Sequence, residues 1–326
     1  MLLHGWLMFL GSYLLVRRLH YQLDFDCIDS HYVYPDGFAA VLLGRLLGLP
    51  VFVSARGTDM NLFPSFRFIR SMIRWTLDKV AGAIAVCTPL QEAMLEVGLP
   101  REKARVIGNG VDLQRFSPVE PEFARKRLGV PADARILVSV GELIPRKGYH
   151  LLIPAFAKLR SPKAHLCLYI VGAGSFRNNL EALIDELHLQ GRVVLAGAQA
   201  NEELKFWYSA ADLTCLTSSR EGWPNVLLES MACGTPVLAT RVWGVPEVIS
   251  SPEFGVMVEQ NVESIAAGLE IAFRKPWNRA LIMERARQRT WDLVAAEVEE
   301  FFTTRLSGFA RSSATRELRH ELFDKA

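Results

Sequence analysis

Short apolar, β-branched runs alternate with longer stretches whose apolar residues recur at helical spacing, almost from one end of the chain to the other. That alternation is the mark of parallel βαβ units. In the first third the strand candidates are 24–31 (DFDCIDSH), 50–57 (PVFVSARG), 81–87 (AGAIAVC) and 104–110 (ARVIGNG), with helical patterns between them such as GFAAVLLGRLLG at 37–48. Further on come 134–143, 165–174, 192–197, 212–219 and 235–241, again separated by helices. Residues 109–122 (NGVDLQRFSPVEPE) combine a glycine, two prolines and little periodicity, and read as a linker between a lobe at 1–108 and a second at 123–290. A C-terminal helix and polar tail follow over 291–326. The second lobe is complete for a doubly wound α/β domain, whereas the first lacks the strand, Gly-rich loop and helix with which such a lobe opens.

The apolar run from Leu2 to Val16 is shorter than the roughly 20 residues a spanning helix needs. It also lacks the basic start and small-residue cleavage site of a leader, so a buried or interfacial helix is expected. Trp6 and the Arg17–Arg18 end suit an interface. Residues 63–80 form a second helical pattern with Arg67, Arg70 and Arg74 on one stripe, read either as a solvated face or as peripheral docking on an anionic membrane. With 50% apolar and 22% charged residues the chain can bury a real core. Lys and Arg exceed Asp and Glu by only 37 − 35 = 2, and residues 1–108 carry 11 basic against 9 acidic side chains, so nucleic acid is excluded as a partner. The five cysteines are scattered with no C-x-x-C pair, which fits buried free thiols rather than a zinc site or disulfide framework.

The strongest chemical signal is EGWPNVLLESMACGTPVLAT at 221–240. Pro224 suits a first helical turn, Gly222 lets backbone approach a ligand, and the N–H groups of Asn225, Val226 and Leu227 offer a phosphate cradle at a helix start. Glu229 then stands just under two turns along, where a carboxylate can accept both hydroxyls of a ribose. A second segment, VSVGELIPRKGYHLLIPAF at 138–156, runs strand, loop, helix, with Arg146 and Lys147 before a helix that opens near Gly148. Those cations can meet a diphosphate. Asp24-Phe25-Asp26 spells a D-x-D triplet but precedes a strand in the wrong lobe for a metal site, and Gly172-Ala173-Gly174 lacks the third glycine of a dinucleotide fingerprint.

These two segments, together with NGVDLQRF (109–116) and HYVYPDGFAAVLLGRLLGLPVFVSARGTD (31–59), resemble the retaining, nucleotide-sugar-dependent glycosyltransferases of GT-B fold. Within that family the chain is similar to bacterial teichuronic-acid and exopolysaccharide enzymes. The resemblance implies two Rossmann-like lobes facing a cleft, with the donor held by the second lobe and the acceptor by the first. It assigns the ribose to Glu229, the donor sugar at the reacting face to Glu221, backbone contacts to Gly222 and Asn225–Leu227, and the diphosphate to Lys147 aided by Arg146. It implies no cofactor and no metal, because the leaving diphosphate can itself deprotonate the incoming hydroxyl.

Three departures stand out. Glu142 occupies the place where the family has an arginine in the first phosphate loop, and Arg56 replaces a histidine ahead of Gly57-Thr58-Asp59. Arg56 cannot serve as a base but can stabilise phosphate charge; otherwise it is a loop arginine. Asp59 either contributes on the acceptor side or caps the next helix. His31, at a strand's C-terminal end, is either an acceptor-site residue or a satisfied histidine. The third departure is the first lobe itself, which looks incomplete. A late start, a split gene whose partner chain fills the gap, and a degenerate copy are all compatible with that, and strand 24–31 would then be an apolar, unpaired edge. The expected function is sugar transfer from a nucleotide-diphosphate donor, UDP-linked, to a saccharide or lipid-linked acceptor at the cytoplasmic face of a bacterial membrane. A donor-binding fragment that needs a partner chain and a nucleotide-sugar epimerase are the alternatives.

Overall fold

The computed structural model describes residues 3–159 and 166–310. The chain forms two compact units, one running to Gly108 and resuming at Val294, the other Asn109–Leu293.

The first unit opens with α1 (His4–Leu23) and continues through β1 (Ile28–His31), α2 (Phe38–Leu47), β2 (Val51–Ala55), α3 (Thr58–Asn61), α4 (Arg67–Lys79), β3 (Gly82–Ala85), α5 (Thr88–Val97) and β4 (Ala104–Val106). Its strands are all parallel and lie side by side in chain order, β1-β2-β3-β4. β2 and β3 are buried along their whole length, as apolar strands covered on both faces must be. β1 is an edge among the described residues, pairing only with β2. The sequence suggested a long apolar edge from residue 24. Instead the strand starts at Ile28, is four residues long, and turns Asp29 and His31 outward. Short length and outward polar side chains both discourage edge-to-edge pairing.

The second unit follows as α6 (Pro121–Leu128), β5 (Arg135–Val140), α7 (Tyr149–Ala157), β6 (Leu166–Val171), α8 (Arg177–Glu186), β7 (Val193–Gly197), α9 (Leu204–Ala210), β8 (Leu213–Leu216), α10 (Asn225–Ala232), β9 (Val237–Thr240), α11 (Val245–Val248), β10 (Gly255–Val258), α12 (Val262–Arg274) and α13 (Arg279–Arg287). The sheet is parallel in the order β10-β9-β8-β5-β6-β7. That is the doubly wound Rossmann arrangement, with the strand order reversing between β5 and β8. Strand β10 (GVMV) is too short to stand out in the apolar pattern. Two core clusters, one on each face, cover the sheet, the first around Tyr208, Leu227 and Met231 and the second around Leu152, Phe156 and Ile265.

Residues 109–122 are not a free connector. The Val111 N–H donates to the Arg289 carbonyl, Val111 pairs with Thr290, and Phe116 is buried in the second unit's core. The C-terminal helix α14 (Trp291–Ala310) rejoins the first sheet. Val294 and Phe301 are buried with Phe52, Ala81, Ile84 and Ile107, and Phe302 stacks on Phe52 at 4.1 Å between ring centres. Arg105 reaches Glu300 at 2.7 Å. Gly82 has to be small here, since a β-carbon would lie 2.8 Å from the Phe301 ring. Phe301→Ala therefore opens a cavity under β2 and β3. Urea denaturation should show a loss of about 3 kcal/mol, in the range for a buried phenylalanine; an unchanged midpoint would mean that α14 is not part of this core.

Candidate functional site

In an open parallel sheet, ligands bind beyond the carboxyl ends of the strands, where strand order reverses. In the second unit that point lies between the β5–α7 loop (141–148) and the β8–α10 loop (217–224). Glycines let the loops there approach one another. Gly148 is left-handed (φ 72°), and a β-carbon on it would collide with the Thr217 carbonyl. Gly172 (φ 154°) stands in the same way against the Gly141 carbonyl, and Gly174 against the backbone of Leu143. The Gly172-Ala173-Gly174 triplet thus serves close loop packing. The Arg146 carbonyl accepts from the Ser219 N–H at 2.9 Å, and the Thr217 hydroxyl donates to the Lys147 carbonyl at 3.1 Å.

This lacing sets the charged side chains. Lys147 Nζ donates to Glu221 Oε1 at 2.8 Å, with only 13% and 11% of the two side chains exposed. Arg146 sits 3.8 Å from the same carboxylate oxygen and donates to the Arg220 carbonyl at 2.7 Å. Residues 74 apart in sequence therefore form one cationic cluster around a single acid. Glu142 in the same loop is exposed, and Arg146 and Lys147 pair with Glu221 instead.

The start of α10 differs in detail from the expected cradle. Pro224 is the residue before the first helical one, not within the first turn. The N–H groups of Asn225 and Leu227 close tight turns onto the Trp223 and Pro224 carbonyls, each at 3.0 Å, which leaves Val226 as the N–H of the three without a backbone partner among the described residues. The turn consumes donors that the helix pattern alone counts as free. The Asn225 side chain accepts from the Asn109 amide at 3.0 Å, tying the start of the unit to the helix. Gly222 adjoins Glu221 in the loop, half-buried.

Glu229 projects from the second turn of α10. Burial, the larger influence, raises its carboxyl above the usual range, while a hydrogen bond from Tyr208 and the charge of Arg115 oppose it. The Tyr208 hydroxyl donates to Oε2 at 2.8 Å. Tyr208 is itself fully buried on α9, and its carbonyl accepts from the Thr235 hydroxyl at 2.7 Å, so both ends of the residue are fixed. Sequence reading missed Tyr208, which lies 21 residues upstream in an ordinary amphipathic pattern.

In the first unit His31, Arg56 and Asp59 come together at the carboxyl ends of β1 and β2. Arg56 Nη2 donates to His31 Nδ1 at 2.6 Å, and His31 Nε2 lies 3.3 Å from Asp29. With Nδ1 accepting, the ring proton is on Nε2 and points at Asp29. Burial lowers the Arg56 pKa, against the charges of Asp29 and Asp59. Asp59 does not cap α3. Wholly buried, it accepts from the N–H groups of Val33 (3.0 Å), Arg56 (3.1 Å) and Gly57 (2.8 Å), and so holds the loops after β1 and β2 together. Burial still outweighs those donors and raises its pKa. Tyr32, next to His31, is held left-handed (φ 81°), its N–H bonded to Ser54 and its carbonyl to Gly37. A bulky residue in that region is costly and concentrates at working sites.

The remaining sequence candidates fall elsewhere. Asp24 ends α1 in a left-handed conformation, and among the described residues no three His, Cys, Asp or Glu side chains gather as a metal-ligand set. The cysteines are unpaired, four of them buried, and burial pushes the Cys233 thiol up to about 12.

Residues 2–115 match the family described as Glycosyltransferase Family 4, and residues 120–289 match Glycosyl transferases group 1. The chain is 34% identical to a D-inositol 3-phosphate glycosyltransferase from Thermobispora bispora over 93% of its own length and 76% of that protein. It is 29% identical to the teichuronic acid biosynthesis glycosyltransferase TuaC of Bacillus subtilis over 75% of its length and 60% of TuaC. Among solved structures, Anabaena HepE in complex with UDP superposes with a TM-score of 0.78 at 21% identity, covering 89% of this chain and 81% of HepE. The two Rossmann-like units are those of the GT-B fold, and the chain belongs to the group 1 glycosyltransferase family, a family of transferase enzymes.

Proposed function

We propose that the protein moves a sugar, with retention of anomeric configuration, from a UDP-linked donor to a saccharide or lipid-linked acceptor in bacterial envelope or exopolysaccharide assembly. One observation carries this reading. The strand-order reversal of the second unit gathers two cations, a carboxylate beside them, a helix start and a second, tyrosine-held carboxylate. The relative named for teichuronic acid biosynthesis and the structural neighbour solved with UDP support the substrate classes.

In this reading Glu229 accepts the ribose hydroxyls, pre-aimed by Tyr208, and the Val226 N–H faces the diphosphate. Lys147, neutralised by Glu221 at 2.8 Å, transfers its charge to the arriving diphosphate. That frees the Glu221 carboxylate for the sugar hydroxyls. Arg146 adds charge from the same loop. The acceptor oxygen then bonds to the anomeric carbon on the face from which the diphosphate departs. The bond from that carbon to the diphosphate oxygen breaks, and the hydroxyl proton passes to the leaving phosphate, giving the glycoside and UDP. No protein nucleophile and no metal enters the step; catalysis is positioning and charge stabilisation. On the acceptor side His31 and Arg56 are the presented groups, and Asp59 holds their loops.

Titration of UDP, with GDP and ADP as controls, tests the donor assignment. Glu229→Ala should abolish UDP binding while the thermal midpoint stays near that of the parent. Tyr208→Phe should weaken it roughly fivefold to tenfold, the worth of one hydrogen bond. Unchanged affinity in Glu229→Ala would remove the ribose role.

The raised Glu229 pKa gives a pH dependence. The ionised carboxylate accepts two hydroxyls, and protonation removes acceptor capacity, so UDP affinity should fall as pH drops through a value above the ordinary glutamate range. Glu229→Gln should flatten that profile.

Glu221→Gln should lower kcat/KM for transfer about a hundredfold, comparable to removing one preorganised group. UDP affinity should change little, and equal loss in both would place Glu221 on the nucleotide instead.

A further inference from the structure

At their carboxyl ends β5 and β8 lead into the loops of Lys147 and Glu221; at their amino ends lies a cavity of about 240 Å³. Its walls are Arg135 and Asp212, at the starts of those two strands, and Phe273, Lys275, Trp277 and Arg279, where α12 gives way to α13. β5 is six residues long, which at strand rise puts about 20 Å between this cavity and the β5–α7 loop. The two places are therefore separate.

The charges around the cavity do not balance. Its acid, Asp212, is already met: Oδ2 accepts from Arg125, outside the cavity, at 3.1 Å and from the Ile136 N–H at 2.7 Å. The three cations meet no carboxylate among the described residues. Arg135 lies over the Phe273 ring, 5.4 Å from its centre, and commits one N–H to the Phe273 carbonyl at 3.4 Å. Lys275 lies over Trp277 at 4.4 Å and donates to the Pro252 carbonyl. Arg279 has no hydrogen-bond or ion-pair partner among the described residues. Other surface cations of the same unit are paired, Arg127 with Glu203, Arg177 with Glu181, and the adjacent Arg274 with Glu270. A guanidinium stacked on a ring is held in place while the donors at its edge stay free, so part of the ordering cost of binding is already met. Trp277 is itself fixed, its indole N–H donating to the Ala272 carbonyl at 2.9 Å. Positive charge gathered on a concave wall focuses the field and concentrates anions there.

We propose that this cavity binds a compact phosphate-bearing anion, one phosphoryl group or a diphosphate, through Arg135, Lys275 and Arg279. Its volume lies under the roughly 300 Å³ at which pockets begin to enclose a whole drug-sized ligand, so it takes the charged group and not a complete nucleotide. Each guanidinium can meet two phosphate oxygens at once, and the lysine adds a point charge. Three cations against a single, already neutralised acid favour a multiply charged anion over a carboxylate. The site is independent of the donor reading above.

Pyrophosphate is the probe. The full chain carrying Lys147→Met and Glu221→Gln lacks the cation at the other end of the sheet without stranding its acid. Calorimetric titration of that variant should show a single binding event that weakens as salt is raised. Arg135→Gln and Arg279→Gln, added together, should weaken it on the order of a hundredfold, the product of two lost charge-assisted hydrogen bonds. Both side chains are exposed, so the thermal midpoint should stay unchanged. Arg274→Gln, adjacent but outside the cavity, should leave the affinity as it was. In the otherwise unaltered chain the Arg135 and Arg279 substitutions should lower the bound stoichiometry by one. Absence of the binding event overturns the proposal, and so does an affinity that the two arginine substitutions do not change. Equal weakening by Arg274→Gln also overturns it, because the effect is then one of net charge and not of this cavity.

Discussion

A β-carbon on Gly148 would collide with the Thr217 carbonyl, and the chemistry of the second unit depends on that closeness. Because the two loops meet backbone to backbone, Lys147 and Glu221 can bond from opposite sides of the strand-order reversal. The pair is largely desolvated, and a buried ion pair gains its worth only when its geometry is good and its remaining valences are met. Neither the Lys147 ammonium nor the Glu221 carboxylate is left buried alone.

The same economy governs Glu229. A carboxylate raised by burial is reluctant to ionise unless something donates to it, and Tyr208 does so from a fixed position. The tyrosine is anchored at its backbone by Thr235, which follows the end of α10. Helix, turn and partner thus form a closed loop of bonds around one acid. In the first unit the burial is put to another use, since Asp59 spends three backbone donors on fastening loops and leaves His31 and Arg56 to face outward.

The α/β alternation and the turn-then-helix course of 221–236 were legible because they are local: strand, turn and helix follow one another within a few residues. Tyr208 was not, since its meaning lies in a contact across two helices, and its own neighbours read as ordinary core. The N–H groups of Asn225 and Leu227 were overcounted for a related reason. Helix periodicity does not reveal that the preceding turn will tighten and take up two donors. The reading of 109–122 as a linker rested on proline and weak periodicity, which say nothing about Val111 finding Arg289. The return of α14 is equally invisible, because amphipathic spacing tells that a helix packs but not on which sheet.

That return fixes an order of events. Phe52 finds Phe301 and Phe302 only across roughly 250 residues of intervening chain, and long-range closure of this kind is slow to form. During synthesis the second unit emerges whole before the helix that covers β2 and β3 exists. The first sheet must therefore wait, one apolar face uncovered, for nearly the entire chain to leave the ribosome. The second unit can be finished while the first is still an intermediate, which makes the first unit the point where chaperones and proteases have their longest access.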